Sequence, residues 1–316
     1  MKQNHRTKFL LALTSVVIGL LFPATGVAKS NQVQLLVLGV AQDAGYPQSG
    51  CYQAHCLSGW QNPDQRRTPT SLAIFDPKTK SKLIFEATPA LPQQLFRLHQ
   101  VANSDAYQLD GIFLTHAHVG HYTGLMYLGH EAMGTSNIPV FAMPKMSTFI
   151  LKNGPWSQLV KYQNIVLKPL TDQIKTKIKR VAVTPFLVPH RDEYSETVGY
   201  QISGPQRTAV FIPDINKWHD WSTDLAKLVK SVDYAFLDAT FFADGELPGR
   251  DMSKIPHPFV TETMALLADL AHEHKQKVWF IHFNHTNPLL FGSSPQSQKV
   301  REAGFNVAYE GLQLSL

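Results

Sequence analysis

The chain of 316 residues has little charge of either sign and no internal repeat. Charged residues make up 17% of it, with 29 basic and 24 acidic side chains. Three of the basic residues lie in the first 28 positions, so the remainder carries 26 basic against 24 acidic residues. Neither a Lys/Arg run nor a basic stripe with interleaved aromatic residues is present, which excludes nucleic acid as a partner.

Two further absences exclude two kinds of catalytic nucleophile. No Gly-x-Ser-x-Gly turn occurs, which excludes a serine nucleophile of the α/β-hydrolase type. The chain has only two cysteines, and neither lies in a context that would activate a thiolate. Because 44% of the residues are hydrophobic, the chain can still bury a large core. A hydrolytic enzyme of this composition needs another source of a nucleophile.

The first 28 residues have the pattern of a signal peptide. Lys2, Arg6 and Lys8 precede an apolar stretch at 9–22, and the small residues Gly26-Val27-Ala28 follow. The apolar stretch is too short to span a bilayer comfortably. We therefore expect cleavage after this segment, a periplasmic or secreted location, and no stable membrane span in the mature chain. The alternative interpretation is an uncleaved amphipathic anchor.

Cys51 and Cys56 stand close together, with His55 beside the second. In an oxidising compartment a local disulfide is the simpler interpretation. The other interpretation is a peripheral structural metal held by both cysteines and His55, although a closed zinc site usually has four ligands. The pattern fits both.

From residue 29 to 316, apolar runs and helix-period segments alternate without a Pro/Gly/Ser-rich linker, which predicts one layered α/β domain. We expect strands near 33–38, 71–75, 83–85, 111–114, 138–142, 165–167, 181–188, 198–202, 209–212, 234–237 and 278–281, and a closing pair near 307 and 312. Helices are expected near 91–99, 145–152, 222–230 and 259–274.

The segment Thr115–His121, which reads Thr-His-Ala-His-Val-Gly-His, is the most informative part of the chain. Its three imidazoles directly follow an apolar run at 111–114 that predicts a buried strand. Imidazole suits zinc, iron, copper or nickel. A His-x-His pair at a strand end can bind one ion while the third histidine points to a neighbouring one. The alternative is a trio of surface histidines in a loop.

Three later segments each place one candidate ligand at the end of an apolar run. His190 follows 181–189, Asp214 follows 209–213, and His282 follows 278–281. Each one alone is typical of a polar residue at a strand terminus. Together they predict a shared metal site, because strands that end at one edge of a sheet can aim side chains at a common point.

This order of motifs resembles the metallo-β-lactamase superfamily over nearly the whole mature chain. The resemblance implies an αββα sandwich with its metal site at the edge of two facing sheets. Within the superfamily, the chain is most similar to the pyrroloquinoline quinone (PQQ) biosynthesis protein B group. The segments that carry this closer likeness are Gly45–Cys51, Leu237–Phe242 and Ile281–Pro288.

The resemblance also implies a ligand set, two groups of three residues that share one bridging carboxylate. The first group is His116, His118 and His190, and the second is His121, His282 and the bridge Asp214. Zinc is the expected cofactor, as one or two ions, with iron or manganese as alternatives.

Two residues depart from the family pattern. Gly120 stands where the family has an aspartate immediately before the last histidine of its signature, which removes a usual ligand of the second metal. Glu86 stands where an aspartate normally ends the strand before the first helix. Another side chain can replace the lost ligand, and the candidates are Asp238, Asp43 and His285. Asp238 ends an apolar strand and is the strongest of them, with capping of the following turn as its other role.

A divalent ion held by neutral imidazoles lowers the pKa of a bound water to about 7. We therefore expect a metallo-hydrolase that uses a metal-bound hydroxide on a small ester, phosphodiester or lactone-like substrate. Asp214 would orient the attacking water, and His285 would protonate the leaving group. Arg191 and Arg250 are candidate substrate contacts, and the loop Gly245–Pro258 is a candidate lid.

Two other functions fit the same residues. One is a mononuclear non-haem iron oxygenase, which the likeness to the PQQ biosynthesis group implies. A secreted location argues against membership in that cytoplasmic pathway. The other is a non-catalytic periplasmic protein that binds a metal or a ligand, in which Gly120 marks lost activity. A small molecule is the expected partner of the site.

The signal-peptide interpretation predicts that the mature protein begins near Lys29. N-terminal mass mapping of the protein isolated from its native host measures this directly. A chain that still begins at Met1, or a purely cytoplasmic protein, would contradict the interpretation.

Overall fold

Apolar side chains alternate between two faces along the first strand, and this alternation sets the layers of the fold. In β1 (Gln34–Gly39), Leu35 and Val37 pack into one hydrophobic cluster, whereas Leu36 and Leu38 pack into another. Because side chains alternate sides along a strand, both faces of this sheet are covered. The computed structural model describes residues 31–191 and 193–316, so the predicted signal peptide, residues 1–28, lies outside the described residues.

The remaining strands are β2 (Ser71–Asp76), β3 (Ser81–Phe85), β4 (Gln108–Phe113), β5 (Ile138–Ala142), β6 (Ile165–Pro169), β7 (Thr176–Ile178), β8 (Val181–Leu187), β9 (Val198–Ser203), β10 (Thr208–Ile212), β11 (Tyr234–Asp238), β12 (Val278–Ile281), β13 (Asn306–Val307) and β14 (Gln313–Ser315). They form two seven-stranded sheets with the orders β14-β1-β2-β3-β4-β5-β6 and β13-β12-β11-β10-β9-β8-β7. Strands β3 to β6 run parallel, as do β10 to β13. Their carboxyl ends therefore lie together at one edge of each sheet.

The helices of the described residues are α1 (Ala54–Gln61), α2 (Leu91–Ala102), α3 (Val119–Tyr122), α4 (Pro144–Lys152), α5 (Trp156–Lys161), α6 (Leu225–Ser231), α7 (Val260–Leu266), α8 (His272–Lys275) and α9 (Pro295–Glu302). Among these residues, no helix has the length and apolar character that crossing a membrane requires.

Helices cover the outer face of each sheet, which confirms the predicted αββα sandwich. On the first sheet, Ile112 of β4 shares a buried cluster with Leu98 of α2 and Ile150 of α4. On the second sheet, Val229 of α6 and Val260 of α7 pack into the cluster that also fills the space between the sheets.

Aromatic rings join the two sheets at the centre of the sandwich. Phe85 and Phe113 of the first sheet stack with their centroids 5.0 Å apart, and Tyr200 of the second sheet meets them edge-on at 5.5 and 5.6 Å. The Tyr200 hydroxyl donates to the Leu114 carbonyl at 2.5 Å, directly below the histidine segment. This packing sets the height of β4 against the second sheet, and with it the position of the histidines that follow β4.

Most predicted elements are present, and two predictions are wrong. The expected helix over 259–274 is divided into α7 and α8, because the backbone leaves helical geometry at Leu267 and is extended at Ala271, where ψ is 150°. The two strands expected near residues 307 and 312 do not pair with each other. Strand β13 pairs with β12, and β14 pairs with β1 in the other sheet. Short elements such as α1 and β7 carry too little periodicity for the sequence to predict them.

Replacing Phe113 with alanine should destabilise the fold by about 3–5 kcal/mol, because it removes the ring between the two sheets and leaves a cavity. Phe96→Ala is the matched control, since Phe96 is 61% exposed on α2 and should cost no more than about 0.5 kcal/mol. Urea unfolding of both variants measures the difference. Equal losses would contradict the central role of the Phe113 ring.

Candidate metal centre

The segment Thr115–His121 connects β4 to α3 at the edge of the sandwich. The Val198 N–H of β9 donates to the Thr115 carbonyl at 3.2 Å and holds the segment against the second sheet. The Thr115 hydroxyl lies 2.8 Å from Nδ1 of His116, which fixes that ring and leaves its Nε2 for the site. His116 and His121 are each only 1% exposed, so the alternative of a surface trio is wrong.

Three histidines converge on the Asp214 carboxylate. Nε2 of His190 and Nε2 of His116 lie 3.2 and 3.3 Å from Asp214 Oδ2. Nδ1 of His118 lies 4.0 Å from the same oxygen and only 2.8 Å from His116 Nε2. One ligand atom from each of these four residues lies within 4.8 Å of the others. We call them the first cluster.

A second cluster consists of Asp43, His121 and His282, whose ligand atoms also lie within 4.8 Å of one another. Nε2 of His121 is 4.0 Å from Asp43 Oδ1 and 3.9 Å from Asp214 Oδ2. Asp214 therefore lies between the two clusters, as expected for a bridging carboxylate. The sequence predicts His121 and His282 together, and of its three candidate replacement ligands the structure places Asp43 beside them.

Buried polar groups contact the far ring nitrogens of the second-cluster histidines. Glu86, which is fully buried, places Oε1 3.4 Å from Nδ1 of His121. The Thr240 hydroxyl lies 3.0 Å from Nδ1 of His282. Groups of this kind orient a ligating imidazole and fix which nitrogen faces the ion.

The imidazole nitrogens and carboxylates of the two clusters are suited to binding a metal ion. Nε2 of His121 and Nε2 of His282 are buried, and neither has a hydrogen-bond partner in the described part of the chain. An unpaired buried polar atom is costly, so two of them aimed at one site indicate a group that the protein chain itself does not supply. Burial and the neighbouring His121 keep the pKa of His116 well below its ordinary value, so that imidazole is neutral, the form that binds metals. Nitrogen and carboxylate donors together suit zinc and its first-row neighbours.

Asp214 is a charged group in a buried position. Burial favours its neutral form, but the imidazoles of His190 and His257 outweigh that effect and hold the pKa of the carboxyl well below its usual range. The carboxylate is therefore anionic and available to bind and bridge cations.

His257 is a site residue that sequence reasoning missed. Its Nδ1 lies 2.9 Å from Asp238 Oδ2 and 3.2 Å from Asp214 Oδ1. Burial lowers the pKa of His257, but the Asp238 and Asp214 carboxylates outweigh it and raise the pKa to about 9. The sequence signal at His257 is its place between Pro256 and Pro258, just before α7 and within the loop predicted to be a lid.

Asp238 supports this histidine and the turn that follows β11. Its Oδ1 accepts from the Thr240 N–H and hydroxyl at 2.9 and 2.7 Å, and its Oδ2 accepts from the Ile215 N–H at 3.1 Å. Of the two roles predicted for Asp238, replacement ligand and cap of the turn, these contacts match the cap.

His285 lies in a different cluster from the one that its predicted role requires. Its ring stacks on His55 at 5.6 Å, and its ligand atom groups with those of His55, Cys51 and Cys56. The two cysteines form a disulfide, the first of the two interpretations of that pair. The chain turns after His282, where the Asn284 N–H donates to the Thr240 carbonyl, and three residues of spacing do not keep His285 beside His282. His285 therefore does not lie with the candidate ligands of the two clusters.

Of the two candidate substrate contacts, Arg191 lies at the rim of the first cluster. Arg191 follows a first-cluster ligand, and its guanidinium is 3.6 Å from Glu193, whose carboxylate is 3.3 Å from His118 Nε2. Arg250 is exposed on the loop expected to act as a lid. That loop is packed by its own small hydrophobic cluster, which consists of Phe241, Met252, Ile255 and Phe259.

Comparison with known proteins gives one family and a consistent set of relatives. The family model described as "Beta-lactamase superfamily domain" matches residues 81–283, more than half of the chain and every residue of the two clusters except Asp43. The resemblance predicted from the sequence is thereby confirmed.

Among curated proteins, this chain is 26% identical to "Coenzyme PQQ synthesis protein B" of Xanthomonas campestris pv. campestris (strain B100), over 90% of this chain and 100% of that protein. The protein of the same name from Methylobacterium sp. (strain 4-46) gives the same values. Among solved structures, Zn(2+)-bound PqqB from Methylobacterium extorquens superposes with a TM-score of 0.73 at 22% identity, covering 90% of this chain and 100% of that one. A diphosphatase from the PhnP family gives 0.62 at 21% identity, covering 90% and 97%.

His116→Ala or His190→Ala should remove bound metal, because each deletes one of three imidazoles from the first cluster. Elemental mass spectrometry of the purified variants measures metal per chain. His130→Ala and His219→Ala are the controls, since both histidines are exposed and lie in neither cluster. Unchanged stoichiometry in both ligand variants would reject the first cluster as a metal site.

Proposed function

This chain belongs to the β-lactamase superfamily, and we propose that it is a secreted metal-dependent hydrolase of small esters, phosphodiesters or lactones. The observation that carries the proposal is the pair of adjoining clusters, which present buried nitrogens without partners in the described residues. Asp214 of the first cluster lies 3.9 Å from His121 of the second. Similarity to a diphosphatase supports hydrolysis as the type of reaction.

In the proposed hydrolysis, a bound ion and the protein's side chains would have different roles. A bound divalent ion would acidify a water so that hydroxide is available near neutral pH. Asp214, which faces both clusters and stays anionic, would orient the attacking water by accepting a hydrogen bond. Arg191 at the rim would attract an anionic ester or phosphodiester group.

His257 is the proposed proton donor. Its Nδ1 is held between two carboxylates, which fixes the ring and keeps it protonated at neutral pH. Its Nε2 has no partner among the described hydrogen bonds and is free to give a proton to a leaving group. An imidazole oriented through one nitrogen so that the other reacts is the arrangement that general acid catalysis requires.

A second candidate function is a role in PQQ synthesis. The observation that favours it is the similarity over 90% of the chain to proteins named for that synthesis. In this alternative the first cluster would hold one iron ion, and the reaction would be an oxygenation.

One experiment separates these functions. Protein loaded with zinc, manganese or iron(II) is assayed with bis-p-nitrophenyl phosphate, p-nitrophenyl acetate, a homoserine lactone and a β-lactam, and oxygen uptake is recorded in parallel. Hydrolysis that is lost on chelation and regained on metal addition is the expected result. Oxygen uptake without hydrolysis would favour the second candidate, and neither activity would reject both in favour of a binding protein.

His257→Asn should lower kcat about 10²-fold or more while metal content stays unchanged, because the amide can still donate a hydrogen bond to Asp238 but cannot act as the proton donor. His99→Asn, on the exposed face of α2, is the control and should leave kcat unaltered. Steady-state kinetics and elemental analysis give both quantities. A loss of metal equal to the loss of activity would show that His257 acts as a ligand instead.

A further inference from the structure

We propose that Asp43 supplies the carboxylate that Gly120 lacks, and that Gly120 has no side chain because the backbone of Asp43 occupies its space. The inference rests on the proposed function, since it concerns the second metal position of the same centre. It goes beyond the family pattern, in which that carboxylate comes from the histidine segment itself.

The space at Gly120 is filled by the loop that carries Asp43. A Cβ added to Gly120 would lie 2.4 Å from Asp43 Cα and 2.9 Å from the Asp43 carbonyl oxygen, both backbone atoms. Gly120 itself has no positive φ, so the glycine is required by close approach and not by backbone conformation. An aspartate at 120 and the present position of the Asp43 loop therefore exclude each other.

The Asp43 carboxylate lies beside two buried ring nitrogens that lack a hydrogen bond in the described residues. Its Oδ1 lies 4.0 Å from His121 Nε2, and it groups with His121 and His282. Both imidazoles present a buried Nε2 without a hydrogen bond in the described chain. The Asp43 side chain is 35% exposed, so a cation between these three residues would be reached from solvent on the Asp43 side.

Backbone pairing ties the Asp43 loop to the strand end that carries His282. The Gln42 N–H donates to the Phe283 carbonyl at 2.8 Å, and the Phe283 N–H donates to the Val40 carbonyl at 2.8 Å. Asp43 itself has φ +40°, a conformation uncommon for a residue other than glycine. The loop that carries Asp43 is therefore bonded to Phe283, the residue that follows His282 of the second cluster.

Asp238, the strongest candidate from the sequence, is occupied elsewhere. Its two oxygens accept hydrogen bonds from Thr240, Ile215 and His257, so its lone pairs are used by the protein. It groups with Asp214 and His257, and not with His121 and His282. Asp43 is the carboxylate left to complete the second cluster.

The test is a double-mutant cycle on the full-length protein with zinc as the probe. Asp43→Ala, Gly120→Ala and the double variant are equilibrated with buffered free zinc, and zinc per chain is measured by elemental mass spectrometry. Asp43→Ala should weaken binding of the second ion by about tenfold or more and leave the first unchanged. Gly120→Ala, which removes no ligand, should weaken the same ion because its methyl group displaces the Asp43 loop.

The double variant should be no weaker than Asp43→Ala alone, since both changes act through one contact. Asp105→Ala, at a fully exposed aspartate, is the control and should bind both ions normally. Second-ion affinity within twofold of wild type in Asp43→Ala, or strictly additive losses in the double variant, would overturn the inference. Wild-type protein that binds no zinc would instead reject the proposed function, so the two failures are distinct.

Discussion

The charge of Asp214 is the constraint around which the centre is built. This carboxylate is 3% exposed, and an isolated anion in such a place would be strongly destabilising. Nitrogens of His116, His190 and His257 lie 3.2 to 3.3 Å from its oxygens and keep it ionised. The same arrangement leaves it facing both clusters, so the group that most needs positive charge is also the one placed to bridge two cations.

The sandwich brings these side chains to Asp214 because its parallel strands end at a common edge. Asp214 follows β10, Asp238 ends β11 and His282 follows β12, in three adjacent parallel strands. The histidine segment arrives from the other sheet, after β4, and the Tyr200 hydroxyl fixes its height by bonding to the Leu114 carbonyl. Rigid strands therefore position the ligands, and loops supply the rim.

The sequence was sufficient to place a candidate ligand wherever a local pattern determines its position. The histidine segment, His190, Asp214 and His282 each follow an apolar run, and a strand end fixes the edge at which its next residue emerges. His285 does not lie beside His282, because the chain turns directly after His282, where φ is +70°, and spacing cannot reveal such a turn. The sequence does not reveal His257, and it ranks Asp43 below Asp238, because both residues reach the centre from loops whose paths depend on tertiary contacts that no short pattern encodes.

The central claim is that these converging side chains hold metal ions at two adjoining positions. Anomalous X-ray diffraction at the zinc edge, from crystals of the full chain grown with zinc, tests it most directly. The account predicts one peak contacted by His116, His118 and His190 and a second contacted by His121 and His282, with Asp214 between them. Crystals with zinc only at surface sites, and no anomalous peak at either cluster, would contradict it.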